Sequence, residues 1–174
     1  MKLSDKITSV TTILTVCIGS DQLLKQVAKS ILEYSPPISF LDDVVRFQYA
    51  ENRGMMLSIG ATLPPGVRFW VFVIAVGVLL AGMLVYVLWK GDMERLQTVS
   101  WSLIVSGGFS NLIDRILRNG VVIDYVSVGF GDVRTAVFNL ADVLVFVGVF
   151  VIVIQRRGKR HMLDDVPPAD TEAE

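Results

Sequence analysis

Among 174 residues the sequence has one cysteine, Cys17, and one histidine, His161. A single cysteine excludes an internal disulfide framework. With the one histidine in a polar C-terminal stretch, neither a Cys/His metal site nor a Ser-His-Asp triad can be assembled, and no metal or cofactor is expected. A surplus of one charge sign is missing too. Sixteen Lys and Arg stand against seventeen Asp and Glu, a formal net charge of −1. Without a basic excess to neutralise phosphates, no nucleic-acid partner is expected. Charge of either sign is sparse at 19%, against 52% hydrophobic residues and a mean hydropathy of +0.57. A typical soluble domain is about 45–50% apolar and about 25% charged. Disorder is excluded, and one domain is expected at this length.

What is present is concentrated. Residues 69–89 carry no charge over 21 positions, a run of about 30 Å as a helix, enough to cross a hydrocarbon core. Residues 135–154 form a second run whose only charge is Asp142, and residues 96–113 a third, uncharged but carrying Gln, Ser and Gly. The stretch 7–24 is diluted by Thr and Ser and interrupted by Asp21. Lys2 and Lys6 ahead of it suit a cleaved signal, but no small-x-small site follows and Val16 precedes Cys17, so a retained helix is expected. The predicted fold class is an all-α membrane protein. Its four transmembrane helices cover about 7–24, 67–89, 96–113 and 136–154 in one domain spanning 1–154, with a small β layer and a loop or short helix on the outer face.

Lys and Arg placement orients this bundle. With both termini cytoplasmic, the inner segments 1–6, 90–95 and 155–174 hold eight positives, including the juxtamembrane RRGKR at 156–160. The outer segments 25–68 and 114–134 also hold eight, over about twice the length. Density favours termini inside. The acidic, Pro-containing end of 155–174 predicts a disordered tail. In the first outer segment, Val45, Phe47 and Tyr49 alternate with Arg46, Gln48 and Ala50, which predicts strand within about 38–62. In the second, Asn119-Gly120 signals a turn before a β-branched run ending at Asp124.

The polar residues near the outer level carry the chemistry. Asp142 lies about seven residues into the predicted last helix, roughly 10 Å below its outer end. An intramembrane acid with no basic residue at i±3 or i±4 is a functional-site candidate. Asn139 shares its helical face, and Asn111, Asp114 and Arg115 stand at i, i+3 and i+4 on the third helix. Asp21 and Lys25 form an i,i+4 pair that reads as structural. Asp114 with Arg115 reads equally as a helix-end ion pair. Gly107-Gly108 reads as a packing surface, and Asn52 with Gly54 as a turn. Two carboxyls held close cannot both ionise easily, so one keeps a proton while the other draws a proton from water. Asp142 with Asp124 or Asp114 would serve.

The ordered set SDQLLK (20–25), ENRGMMLS (51–58), GGFSNLIDR (107–115), VVIDY (121–125) and FNLAD (138–142) resembles signal peptidase II, the prolipoprotein signal peptidase family of aspartic peptidases, over roughly residues 15–150. The resemblance implies Asp124 and Asp142 as the catalytic pair. It implies Asn52, Gly54, Asn111, Arg115 and Asn139 as pocket residues, and Asp21, Lys25 and Asp114 as architectural support. It also implies a monomer in a bacterial cytoplasmic (inner) membrane, in contact with lipid. That enzyme would cut a diacylglyceryl-modified prolipoprotein on the amino side of its lipidated cysteine. The family usually has alanines and an aromatic where this chain has Met55, Met56 and Leu57, and Gly where it has Ser110. Two other classes remain: a non-catalytic binder of lipidated peptides with the same fold, and a small proton-coupled transporter, which expects acids near the bilayer middle.

Overall fold

The computed structural model describes residues 2–55, 59–131 and 133–164. Four helices alternate with a small sheet. They are α1 (Leu3–Leu32), α2 (Pro65–Trp89), α3 (Arg95–Leu117) and α4 (Leu140–Asp164). The strands β1 (Ile38–Phe40), β2 (Val45–Asn52), β3 (Val122–Phe130) and β4 (Val133–Arg134) form one antiparallel sheet in the order β1-β2-β3-β4. The fold is mostly helical with the small β layer expected. By length and hydropathy, α1 and α2 are apolar enough to cross a membrane. In α3 and α4 the apolar stretch is interrupted, by hydroxyl residues in the former and by Asp142 and Arg156-Arg157 in the latter.

The bundle buries polar side chains alongside its apolar core clusters, and its outer surface is rich in apolar ones. Thr98, Ser102, Ser106 and Ser110 line one buried side of α3, and Ser100 is buried on another. Ser100 and Ser102 return their hydroxyls to the carbonyls of Leu96 and Thr98, at 2.8 and 2.7 Å, so burial leaves no orphan donor. Large apolar side chains such as Val78, Trp89, Phe146 and Phe150 face outward instead. So many large apolar side chains on the outside depart from a water-soluble domain and suit a hydrocarbon surround. Small residues let α3 meet α4: a Cβ on Gly107 would lie 2.3 Å from the Ala141 carbonyl oxygen, and one on Gly148 would lie 2.6 Å from that of Ser100. Gly107-Gly108 is thus a packing surface: Gly107 brings α3 against the first turn of α4, and Gly108 lets Leu80 of α2 approach.

Several boundaries differ from expectation. Helix α1 runs to Leu32 rather than stopping near 24, because Lys25 is neutralised inside the bundle and Ala28 and Leu32 pack on Ile123 and Tyr125 of β3. At its other end Lys6 is buried, its ammonium donating to the Lys90 carbonyl. Helix α2 opens with Pro65, which suits a first helical position, and contains a π-helical stretch, Trp70–Ala75. The β segment ends at Asn52, short of 62, while β3 continues past Asp124 to Phe130. The Asn119-Gly120 turn is present, with φ of 54° and 85°, a pair of left-handed residues that this dipeptide tolerates.

Helix α4 begins at Leu140, not 136, because Phe138 bridges to Val126 of β3. It then runs through Asp164, so the segment 155–164 is helical where a disordered tail was expected. The expected tail beyond Asp164 lies outside the described residues.

Candidate active site

The late start of α4 moves Asp142. It stands at the third helical position, in the first turn, not seven residues deep. Asn139 is the N-cap: its Oδ1 accepts the Asp142 N–H at 3.0 Å, and the Asp142 Oδ2 accepts the Asn139 N–H at 3.2 Å. This reciprocal capping box satisfies two helix-end donors and fixes both side chains. Because Asn139 Oδ1 is committed to the cap, its amide Nδ2 points to Asp124 Oδ1, at 2.6 Å. One asparagine therefore links the two aspartates.

The sheet delivers Asp124. It lies opposite Ala50 in the β2–β3 register, past a bulge between Phe47 and Ala50. Asn52, two residues beyond Ala50, shares that face. Its Nδ2 donates to Asp124 Oδ2 at 3.1 Å, while its Oδ1 accepts the Gly54 N–H at 2.9 Å in an Asx turn. The expected turn at Asn52 and Gly54 is therefore present, and it also supplies a donor to the site. Asp124 is nearly inaccessible, and burial, reinforced by the charge of Asp142, pushes its carboxyl up to about 7.

Asn111 of α3 donates Nδ2 to Asp142 Oδ1 at 2.9 Å. Its Oδ1 accepts from Lys25 Nζ at 2.8 Å and from Asn139 Nδ2 at 3.1 Å, which decides the amide's orientation. Lys25 is fully enclosed and makes two further contacts, to Asp21 at 2.7 Å and Asp114 at 2.9 Å, so all three of its donors are used. The Asp21–Lys25 pair is present as expected. The Asp114–Arg115 pair is not: Asp114 turns to Lys25 and, at 3.3 Å, to Arg118. Arg115 reaches instead to the carbonyls of Gly54, at 2.8 Å, and Asn111, at 3.3 Å.

Sequence reasoning missed the residues that complete this network. Ser110 donates to Asp21 at 2.6 Å, and Gln22 donates to Ser110 and Asp114. The Asp21 Oδ1 accepts the Ala141 N–H at 2.9 Å, pinning α4 to α1, and Tyr125 Oη accepts the Leu140 N–H at 3.1 Å. Gln22 and Ser110 lay inside the motifs, but only their placement across two helices exposes the contact.

Asp124 and Asp142 open into one cavity of about 550 Å³. Asn52, Asn111 and Arg115 form its polar part, and Val137, Phe138, Val143 and Phe146 its apolar wall. Met55 also lines it, whereas Met56 and Leu57 lie outside the described residues. Among the described residues, every hydrogen bond to these two carboxyls is donated to them, and both still face the cavity. Such a pair can share one proton and polarise a water between them.

An apolar-flanked helical bundle with an acid-lined cavity under a small sheet defines a membrane-enzyme class of fold. A bacterial membrane enzyme solved by the in meso method is similar in fold, with a TM-score of 0.73 at 22% identity, covering 97% of this chain and 94% of that one. The chain belongs to the signal peptidase II family: the model described as "Signal peptidase (SPase) II" matches residues 13–156. It is 34% identical over 143 residues to the lipoprotein signal peptidase of Halothermothrix orenii, covering 82% of this chain and 90% of the relative. To that of Chlorobium phaeovibrioides it is 32% identical over 146 residues, covering 79% and 83%.

Proposed function

We propose that the chain is a membrane-embedded aspartic endopeptidase that removes the signal peptide from diacylglyceryl-modified prolipoproteins, cutting on the amino side of the lipidated cysteine. Family membership supports the peptidase and its substrate class. The observation that carries the aspartic mechanism is the bridged pair, Asp124 and Asp142, facing one cavity and joined through Asn139. Residues 1–154 act as one domain, all four helices cross the bilayer, and both termini lie on the cytoplasmic side. The exposed apolar flanks of α1, α2 and α4, with α3 packed among them, support the four spans. One chain supplies every polar group of the site, which supports action as a monomer.

In this reading Asp124 holds the proton and Asp142 the charge, since the first turn of a helix favours an anion. A water between them loses a proton to Asp142 as its oxygen attacks the scissile carbonyl carbon. Asp124 gives its proton to the carbonyl oxygen. The tetrahedral intermediate collapses: one of its hydroxyls returns a proton to Asp124 as the C–N bond breaks, and the cysteine nitrogen leaves with the proton from Asp142. Asn52, Asn111 and Arg115 hold the peptide backbone, and Asn139 sets the spacing of the two acids. The apolar wall around Val143 and Phe146 receives the lipid side of the substrate. The transporter alternative expects an acid near the bilayer middle, whereas Asp142 stands in the first turn at the sheet end.

The test is cleavage of a diacylglyceryl-modified prolipoprotein peptide by the purified chain, with both products identified by mass. Asp124→Asn and Asp142→Asn are each expected to lower the rate by about a thousandfold, within the range of acid–base catalysis. Cleavage persisting in both folded variants would overturn the aspartate assignment. A folded parent that binds the peptide without cutting it would leave the binder reading in its place.

A further inference from the structure

A second cavity, of about 330 Å³, lies beside the aspartate cavity, between the N-terminal part of α2 and the C-terminal part of α3. Among the described residues, its charged lining residues are Arg68 and Arg115 and no acid lines it. Among the described residues neither arginine has a carboxylate within ion-pair distance. Arg68 makes one long bond, 3.4 Å, to the Ala61 carbonyl. The Arg115 Nε is buried with no hydrogen-bond partner among the described residues, although the Arg115 fork is anchored to Gly54 and Asn111. Two guanidinium groups without a carboxylate at ion-pair distance, one of them with an orphaned buried donor, need an explanation where buried Lys25 has every donor used and buried Lys6 is anchored to a carbonyl.

The surroundings say what the cavity takes. Phe72 lies under the Arg115 guanidinium, 5.8 Å from ring centre to Cζ, and Val73 completes an apolar floor. On the outward side Phe69 and Ile116 are 51% and 60% exposed, and both line the cavity. They sit where the apolar flank of the bundle meets the sheet end. An anionic group facing two guanidinium forks, with apolar chains running down an exposed apolar flank, is the outline of a phospholipid. Arginine's planar donors match phosphate oxygens in pairs.

We propose that the Arg68–Arg115 cavity binds the phosphodiester headgroup of a membrane phospholipid, as a site separate from the aspartate cavity. The phosphate lies between the two guanidinium groups, and its acyl chains pass over Phe69 and Ile116. Because Arg115 lines both cavities, the lipid also steadies the arginine that faces the aspartates.

The test reads binding, not turnover, so it stands or falls apart from the peptidase assignment. The full chain in phosphate-free detergent is titrated with dihexanoyl-phosphatidylglycerol, dihexanoylglycerol or inorganic phosphate, and the thermal midpoint is followed. The phospholipid is expected to raise the midpoint saturably, and the other two at equal concentration are not. Arg68→Gln is expected to weaken the phospholipid about tenfold or more, the loss of a charge-assisted pair. Arg68→Lys keeps the charge without the fork and is expected to fall between, which carries the comparison if the glutamine variant does not fold. Parental affinity in a folded Arg68→Gln or Arg68→Lys chain would overturn the site. Equal stabilisation by the neutral diacylglycerol would remove the phosphate from it, and saturable stabilisation by inorganic phosphate alone would remove the lipid.

Discussion

Two carboxylate pairs occupy neighbouring turns of this bundle and are built in opposite ways. Asp21 and Asp114 are sealed from solvent and share the Lys25 ammonium, with Ser110, Gln22 and backbone N–H groups completing their shells. Asp124 and Asp142 have no cation at bonding distance among the described residues, only amide and backbone donors, and they face a cavity. The first pair spends its charge on joining α1, α3 and α4. The second keeps its charge available. Asn111 connects them, taking a proton of Lys25 on one side and giving one to Asp142 on the other. A rigid ion cluster thus serves as the support on which an unsatisfied pair is held, the division of labour a preorganised site requires.

The largest effect should separate activity from stability. Asp142→Asn is expected to lower cleavage about a thousandfold with only a small change in the thermal midpoint in detergent, because relief of a buried charge offsets the one accepted hydrogen bond that the amide cannot keep. Assay and melting curve on one preparation check this. A large fall in midpoint would mean that the open pair is structural after all. Lys25→Met is the reverse experiment. It strands two buried carboxylates and is expected to destabilise by about 3–5 kcal/mol, the usual result of removing one member of a buried ion cluster. A Lys25→Met chain that melts like its parent would erase the contrast.

The pairs should also differ in their response to pH. Asp124 titrates near 7, raised by burial and then by Asp142. Its folded-state proton affinity exceeds that of an unfolded aspartate, so the stability it adds is complete below about 4 and is lost as pH rises towards about 7. If Asp124 must carry the proton, the rate should fall about tenfold per pH unit above that point. A rate profile flat from pH 6 to 9 would assign the proton elsewhere. In Asp124→Asn the stability component between pH 4 and 7 should vanish.

Much of this arrangement is legible in the sequence, and the misses have physical causes. Asp21 and Lys25 are local partners at i,i+4, so their pairing follows from helical geometry. Residues 135–138 are apolar enough for helix or strand, and hydropathy cannot tell which, so Asp142 was placed too deep. Their bridge to β3 decides it and turns Asn139–Asp142 from a shared helical face into a capping box. Asp114 and Arg115 are adjacent in sequence but about 100° apart around the helix, and each found its partner on another element. The meeting of Asn52 with Asp124 depends on a register shifted by a bulge, which composition does not encode. The family resemblance supplied that pair where spacing alone left Asp114 as an equal candidate.

The smallest effect tests whether the two regions are as separate as they look. Ser110 gives its hydroxyl to Asp21 and takes an N–H from Gln22 at 3.0 Å. Ser110→Ala removes both bonds. Asp21 keeps Lys25 and the Ala141 N–H, and Gln22 keeps the Ser110 carbonyl and Asp114. Losing a hydrogen bond to a charged group is worth about 1.5–3 kcal/mol, reduced here because the acceptor stays partnered. Alanine's better helix propensity returns roughly half a kcal/mol. A net loss of about 1 kcal/mol is expected, seen as a drop of a few degrees in the thermal midpoint. Cleavage should stay within about threefold of the parent, since the Asp21 bond to Ala141, the residue before Asp142, is untouched. A tenfold fall in kcat at parental KM and thermal midpoint would show instead that Ser110 acts on the open pair through the ion cluster, joining the two regions into one machine.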